Sequence, residues 1–183
     1  MSNLRIIGGE HKGRRLKTLG GDNTRPTLDK VREAVFNALY DVSDTRVLDL
    51  FGGSGAMALE ALSRGANSAV IVDNNKAAIN IIKENVKELG YEAKVDLRFS
   101  EFQRATLKNE KFDLIFADPP YGEGLLTEAI NMVAKLNLLS AHGMIVAETG
   151  GGNPEFPITP NLNLLKKKQY GTTKILYYRF DEE

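Results

Sequence analysis

Residues 47–56, Val-Leu-Asp-Leu-Phe-Gly-Gly-Ser-Gly-Ala, decide the fold. The apolar run from Val47 to Phe51 predicts a buried β-strand, and the glycines after it predict a tight turn into a helix over about residues 55–64. Glycine lets the backbone approach a ligand closely, and the first turn of a helix offers free N–H groups to an anion. The stretch therefore predicts the strand–turn–helix unit of a ligand-binding α/β fold.

The same alternation of strand and helix continues along the chain. Further strands are predicted at 69–72, 95–99, 112–117 and 144–147, further helices at 75–89 and 125–139, and a closing hairpin at 162–168 and 174–180. Strands separated by helices of this length indicate a mainly parallel, seven-stranded sheet with helices on both faces. In such sheets ligands bind beyond the carboxyl ends of the strands, which is where the motifs fall.

The first forty residues differ in charge from the rest. Leu4 to Leu19 predicts a short twisted hairpin, and apolar spacing predicts an amphipathic helix over about 28–40, after a turn or N-cap at residues 24–27. Residues 1–40 contain eight basic and four acidic side chains, and because the whole chain is neutral, residues 41–183 carry a net charge of −4. A local basic extension (1–40) on a catalytic domain (41–183) is typical of a protein that meets phosphate at one edge.

Composition excludes several classes of site. The chain has no cysteine, and His11 and His142 are its only histidines, so disulfides, thiolate metal sites and histidine-based triads are not expected. The N-terminus lacks the apolar core of a signal peptide, and no window reaches the ~20 apolar residues of a membrane span. We expect a cytoplasmic protein without a metal.

Two ligands fit the turn after the first strand. Gly53, Gly55 and Ala58 satisfy a dinucleotide pattern, and Asp73, twenty residues beyond Gly53, can accept both hydroxyls of a ribose or simply cap the next helix. A carboxylate at Asp49 is unhelpful beside a pyrophosphate but useful beside the ammonium and sulfonium of S-adenosylmethionine. It can also cap the N–H groups of its own loop. Asp49 therefore favours S-adenosylmethionine, whereas the glycine spacing leaves a dinucleotide as the alternative.

The strand 112–117 is followed directly by Asp118-Pro119-Pro120-Tyr121. Neither proline has an N–H for a sheet ladder, so the strand must end there and its carbonyls are left free. A carboxylate, free carbonyls and an aromatic face in one stiff turn suit acceptance of the N–H bonds of a planar amine while a ring stacks on its base. This predicts methylation of the exocyclic amine of a nucleobase; a plain strand-ending turn is the alternative.

Six segments together resemble the class I S-adenosylmethionine-dependent methyltransferases, and within them the RsmD-like 16S rRNA guanine-N2 methyltransferases. They are residues 5–9 with 12–16, 24–27, 31–37, 49–56, 59–66 and 118–121. The resemblance implies a Rossmann-like fold and methyl transfer to one guanine of 16S rRNA in an assembled or nearly assembled 30S subunit. From the composition we expect no membrane and no metal, and no obligate protein partner is evident in the sequence.

Three sets of site residues are predicted. The catalytic turn is Asp118, Pro119, Pro120 and Tyr121. The cofactor set is Asp49, Phe51, Gly52, Gly53, Ser54, Gly55, Asp73, Asn74, Glu101 and Phe102, with Phe102 either stacked on adenine or part of the core. The RNA-contacting set is Arg5, Lys12, Arg14, Arg15, Lys17, Arg25 and Arg32, of which the last two either contact RNA or brace the cofactor loop.

Two other functions remain open from the residues alone. A DNA adenine-N6 or protein-glutamine methyltransferase would share the Asp-Pro-Pro-Tyr turn, although an adenine-specific DNA enzyme normally carries a target-recognition domain for which this chain has no room. A non-catalytic binding module would use the same fold as a scaffold and transfer no methyl group.

Overall fold

The computed structural model describes residues 4–20 and 26–181. Its helices are α1 Pro26–Leu39, α2 Ala56–Ser63, α3 Lys76–Leu89 and α4 Leu125–Lys135, with a short 3₁₀ helix at Phe102–Arg104. Its strands are β1 Arg46–Asp49, β2 Ser68–Asp73, β3 Val95–Phe99, β4 Phe112–Ala117, β5 Leu139–Thr149, β6 Leu162–Tyr170 and β7 Thr173–Phe180.

The seven strands form one sheet in the order β3-β2-β1-β4-β5-β7-β6. Pairings among β1 to β5 are parallel, whereas β7 runs antiparallel to both β5 and β6. The predicted mainly parallel seven-stranded sheet is therefore confirmed. The order reverses between β1 and β4, and this switch point opens a crevice at the carboxyl ends of both strands.

Alternate residues of the central strands enter two different cores. Val47, on one face of β1, packs with apolar residues of α1, α2 and α3, whereas Leu48, on the other face, packs with α4 and the 3₁₀ segment. Successive side chains of a strand point to opposite faces, so both faces of this sheet are dry. This explains why the central strands consist of continuous apolar runs.

The N-terminal segment packs on the first of these cores. Leu4, Ile6 and Leu16 are buried in the cluster that contains α2 and α3. The predicted hairpin is present as a turn closed by one antiparallel bridge between Arg5 and Arg15, without regular strands. Its backbone bonds include Ile6 N–H to Arg14 O at 2.9 Å and Gly13 N–H to Ile6 O at 2.8 Å.

The predicted boundary between α4 and β5 was wrong. The helix ends at Lys135 rather than 139, and β5 begins at Leu139 rather than 144. Asn137 adopts a left-handed φ of 51°, which stops the helix, and Leu139 pairs with Phe112 of β4. No helix in the described ranges has the length and apolar character that a membrane crossing needs.

Candidate active site at the switch point

The turn between β1 and α2 approaches the sheet closely. A Cβ on Gly52 would lie 2.5 Å from Ile71 Cγ2 and 2.9 Å from Ile82 Cδ1, so any larger residue there would force these side chains to move. Gly53 has a φ of +59°, and a Cβ there would meet nothing within 4 Å. Gly52 therefore seats the turn on the sheet, whereas Gly53 presents bare backbone to the crevice.

Asp73 organises this turn from the end of β2. Its Oδ2 accepts the Gly53 N–H at 2.8 Å and its Oδ1 accepts the Asn75 N–H at 2.7 Å. The N-cap of α3 is Asn75, whose side chain accepts the Ala77 N–H at 2.9 Å. Asp73 is thus not the helix cap, and its carboxylate keeps lone pairs directed toward the cavity that it lines.

Asp49 is buried beneath the same turn. Its Oδ1 accepts the Phe51 N–H at 3.2 Å, as expected of a residue that caps its own loop. Desolvation raises the pKa of Asp49 to about 7, and repulsion from Asp73 acts in the same direction while the Phe51 bond opposes it. A cation that enters the crevice would stabilise the ionised form of Asp49 and lower its pKa.

The end of β3 closes the crevice on one side. Phe102 is buried in the second core and its ring lies 5.1 Å from that of Phe51 in a tilted arrangement, yet both rings line the cavity. Glu101 is exposed and its carboxylate lies 3.2 Å from Arg104 Nε. Phe102 therefore belongs to the core and offers the ligand only part of its surface.

The four predicted catalytic residues lie together at the end of β4. Pro119 is buried, whereas Asp118, Pro120 and Tyr121 are exposed toward the crevice. Part of Asp118 faces solvent while its carboxyl group lies among protein atoms. Desolvation, followed by repulsion from Glu148 and Asp49, raises the pKa of that carboxyl well above its usual value.

Glu148, at the end of β5, faces this turn. The Tyr121 hydroxyl donates to its Oε1 at 2.5 Å and lies 3.4 Å from Thr173 Oγ1. Desolvation raises the pKa of Glu148, and the hydrogen bond from Tyr121 lowers it in part. Desolvation and the bond to Glu148 also raise the pKa of Tyr121, so the phenol stays protonated as a donor.

One cavity of about 660 Å³ joins these elements. It is lined by Leu50, Phe51, Gly53, Asp73, Asn74, Ser100, Glu101, Phe102, Gln103, Asp118, Pro119, Pro120, Tyr121 and Glu148. Another cavity of about 420 Å³ shares Phe51, Gly53, Asp118 and Glu148 with it and is lined also by Asp49, Gly52 and Ser54. Residues from the ends of β1, β2, the β3 loop, β4 and β5 therefore meet around one space.

Comparison with known proteins places the chain in a family. Residues 4–179 match the family described as Conserved hypothetical protein 95. The chain is 38% identical over 182 residues to YlbH of Bacillus subtilis, provisionally named an rRNA methyltransferase, covering 96% of this chain and 98% of that protein. It is 36% identical over 182 residues to ribosomal RNA small subunit methyltransferase D of Haemophilus influenzae, covering 96% and 92%.

The chain belongs to the RsmD family of methyltransferases. The solved structure of yhhF from Escherichia coli, described as a proposed methyltransferase, superposes with a TM-score of 0.86 at 31% identity, covering 98% of this chain and 99% of that one. The fold is that of the class I methyltransferases, as the RsmD resemblance implied.

The residues present fit the cofactor of this fold. Bare backbone at Gly53 would receive an amino-acid end, the remaining lone pairs of Asp73 would accept ribose hydroxyls, and Asp49, whose ionised form a cation would favour, would lie near a cationic centre. Asn74, another residue of the predicted cofactor set, lines the same cavity. Gly55 has a φ of +80° and lies near Leu59. Within the described ranges, no group of three or more metal-ligating side chains occurs.

The basic residues of the hairpin are mostly engaged with the protein itself. Lys17 Nζ lies 2.8 Å from Glu84 Oε2 and 2.7 Å from Glu88 Oε1, and Arg14 donates to Glu88 O at 3.2 Å. Arg5 lies 3.8 Å from Asp29, Lys12 is exposed, and Arg15 has a partner as well. Side chains of this hairpin that meet phosphate must therefore exchange or share their present contacts.

Arg32 is buried and bonded to other parts of the protein. Arg32 is 5% exposed; it donates to Arg5 O at 2.5 Å and to Asp29 Oδ1 at 3.1 Å, and its Nε lies 3.6 Å from Glu60 Oε2. These contacts connect Arg32 to the N-terminal segment, α1 and α2, and none of them is to the cofactor turn that it was predicted to brace. Arg25 lies outside the described residues.

Sequence reasoning missed three polar residues of this region. Glu148 directly follows the predicted strand 144–147 and was assigned no role. Glu155 accepts the Gly124 and Thr127 N–H groups at 3.1 and 3.0 Å at the start of α4. Asn85 joins the hairpin to the cofactor turn. The one usable signal was position, because Glu148 ends the strand that follows the catalytic turn. The partners of Glu155 and Asn85 are far away in sequence.

Proposed function

We propose that this protein transfers a methyl group from S-adenosylmethionine to the exocyclic N2 amine of one guanine in 16S ribosomal RNA. The observation that carries the proposal is the single cavity in which Asp118 and Tyr121 of the catalytic turn face Gly53 and Asp73 of the cofactor turn. A methyl donor site and an acceptor site that border the same space are what direct methyl transfer requires.

The acceptor amine would be held by hydrogen-bond acceptors. Asp118 and the Pro119 carbonyl accept the N2 hydrogens and draw lone-pair density toward the incoming methyl group. The exposed part of the Tyr121 ring offers a surface for the base, which must leave its stack to reach the cavity. Orientation and fixed dipoles supply the acceleration, and Asp118 need not remove the proton before transfer.

The cofactor would lie against the β1 and β2 ends. When bound, S-adenosylmethionine supplies an electrophilic methyl group on its sulfonium. Asp73 accepts the ribose hydroxyls, the Gly53 region receives the amino-acid end, and Asp49 provides negative charge near the cationic groups. The elevated pKa of Asp49 supports this role, since a cation would favour its ionised form.

The RNA substrate is supported by the relatives and by charge. Methyltransferase D of Haemophilus influenzae is named for the small-subunit ribosomal RNA, and the chain matches it over 96% of its length. Among the basic residues of positions 1–40, the exposed Lys12, Arg14 and Arg15 are the side chains suited to phosphate contacts, where Arg14 and Arg15 would exchange or share their present contacts. We propose the assembled or nearly assembled 30S subunit, in the bacterial cytoplasm, as the substrate.

The test is transfer of tritiated methyl groups from S-adenosylmethionine to 30S particles, naked 16S RNA and DNA in parallel. Digestion of the labelled RNA to nucleosides should give N2-methylguanosine at one position, with 30S particles as the preferred substrate. N6-methyladenine in DNA would support the adenine-specific alternative. Absence of transfer to every substrate would support the binding module.

A further inference from the structure

Glu148 occupies a position that methyl transfer alone does not explain. It lines the same cavity as Asp118, and its Oε1 accepts the Tyr121 hydroxyl at 2.5 Å. Within the described part of the chain, no donor reaches its other oxygen, Oε2. One oxygen is thus fixed by a neutral donor, and the other has no donor among the described residues of this cavity-lining side chain.

Tyr121 is itself held in place. A Cβ on Gly150 would lie 2.9 Å from Tyr121 Cε2 and 2.7 Å from Thr172 O, so the loop after β5 packs closely against the phenol ring. Thr173 Oγ1 lies 3.4 Å from the hydroxyl on the other side. These contacts hold the Tyr121 ring in place, and its hydroxyl in turn orients the Glu148 carboxylate.

Asp118 and Glu148 both line the cavity, and the only hydrogen bond to either carboxyl group from the described residues comes from the Tyr121 hydroxyl. Desolvation raises the pKa of Asp118, and repulsion from Glu148 raises it further. Among the described residues no lysine or arginine lines the cavity of about 660 Å³, and Arg32 lines only the smaller neighbouring cavity. A neutral ligand that places two N–H donors side by side would relieve this repulsion without carrying a positive charge.

Among the bases, guanine offers this pattern on its Watson–Crick edge, where the N1–H lies beside the N2 amine. Adenine has its amine beside an N1 acceptor, which a carboxylate would repel. We propose that Glu148 selects guanine by accepting the N1–H of the target base, while Asp118 and the Pro119 carbonyl hold its N2 amine. This inference rests on the function proposed above, and it makes Tyr121 a positioning residue for Glu148.

The test compares guanine with 2-aminopurine, which keeps the C2 amine but lacks the N1–H. The 30S particles are reconstituted from a 16S RNA in two pieces, with the synthetic piece carrying either base at the methylated position. The enzymes are wild type, Glu148→Gln and Tyr121→Phe. The readouts are kcat/KM for each base, the Kd of S-adenosylmethionine and the Tm.

Wild type should methylate guanine much faster than 2-aminopurine. Glu148→Gln should lower kcat/KM on guanine by about 10- to 100-fold, since a charged acceptor is lost, and should narrow the ratio of guanine to 2-aminopurine at least about tenfold. The amide of glutamine can donate to the unprotonated N1 of 2-aminopurine. Tyr121→Phe should change the ratio in the same direction by a smaller factor, with cofactor affinity unchanged.

Matched controls separate this role from structural damage. Glu123→Gln neutralises an exposed acid in the segment after the catalytic turn, and Tyr177→Phe removes a buried hydroxyl that has no hydrogen-bond partner among the residues the structure describes; neither should alter the base ratio. If Glu148→Gln loses activity equally on both bases, or if it weakens cofactor binding instead, the inference is wrong. A wild-type enzyme that methylates no RNA would overturn the proposed function as well.

Discussion

On the cofactor side of the cavity both oxygens of Asp73 accept backbone N–H groups, whereas on the catalytic side the only hydrogen bond to Asp118 or Glu148 from the described residues comes from the Tyr121 hydroxyl. We call these two sides the cofactor wall and the catalytic wall. The acids of the cofactor wall already accept backbone N–H groups without a ligand, and they hold the turn that a ligand would contact. The acids of the catalytic wall lack such donors. The preorganised acceptors of the cofactor wall suit a cofactor, whereas the unsatisfied acceptors of the catalytic wall suit a substrate that supplies N–H groups.

The largest effect is expected at the catalytic wall. Asp118→Ala should lower kcat by about 100-fold or more while cofactor affinity stays within a few-fold, because Asp118 acts on the amine in the transition state. Single-turnover methyl transfer and calorimetric titration measure the two quantities. If cofactor affinity fell by as large a factor as kcat, Asp118 would belong to the cofactor site, and the proposed difference between the two sides of the cavity would be wrong.

The complementary change belongs to the cofactor wall. Asp73→Ala should weaken S-adenosylmethionine by about 1.5–3 kcal/mol through the loss of charged hydrogen bonds to ribose. Asp73→Asn serves as the control, since it keeps one acceptor for the Gly53 N–H. Unchanged affinity by calorimetry would limit Asp73 to holding the turn.

Asp49 sharpens the comparison through pH. With a folded pKa of about 7, its ionised fraction rises about tenfold between pH 6 and pH 8, and cofactor affinity should rise with it. The folding stability of the free protein should change with pH in the opposite direction. Because the folded pKa of Asp49 lies above its unfolded value, Asp49 contributes stability at low pH that is lost as pH rises toward and through 7. Asp49→Asn should flatten both profiles, measured by calorimetry and by Tm. Parallel profiles in wild type and variant would remove Asp49 from cation binding.

The smallest effect should lie outside both walls. Replacing Arg14 and Arg15 together by glutamine should raise KM for 30S particles and reduce the slope of log affinity against log salt by roughly 1.5–2 units if both contact phosphate. Lys108 and Lys135, exposed residues before β4 and at the end of α4, form a control pair of equal charge. Identical slopes for wild type and the Arg14/Arg15 variant would leave RNA choice to the cavity alone.

Local sequence signals predicted what local physics determines. The boundaries of β3 and β4 and the end of α3 at Gly90, with its left-handed φ of 71°, follow from short-range pattern and backbone freedom. The α4–β5 boundary failed because the apolar run through Leu138 and Leu139 continues a helical pattern, and pairing with β4 decides otherwise. The catalytic turn and the cofactor acids lie where strand ends predict them.

Long-range contacts set the remaining features, and sequence alone does not reveal them. The charge of Lys17 counts toward a basic hairpin, yet its partners Glu84 and Glu88 lie on α3. Glu148 becomes part of the site only because β5 lies beside β4 and Tyr121 turns toward it. Net charge by segment therefore overstates what is free to bind.

Asn85 carries a consequence for how the two ligands would influence each other. Fully buried, it accepts the Lys17 N–H at 2.8 Å and donates to Lys17 O at 3.0 Å and to Ser54 O at 2.9 Å, so one amide clamps the hairpin to the cofactor turn. A displacement of either segment strains the same three bonds. By thermodynamic reciprocity, whatever factor RNA contact at the hairpin applies to cofactor affinity, the cofactor must apply to RNA affinity.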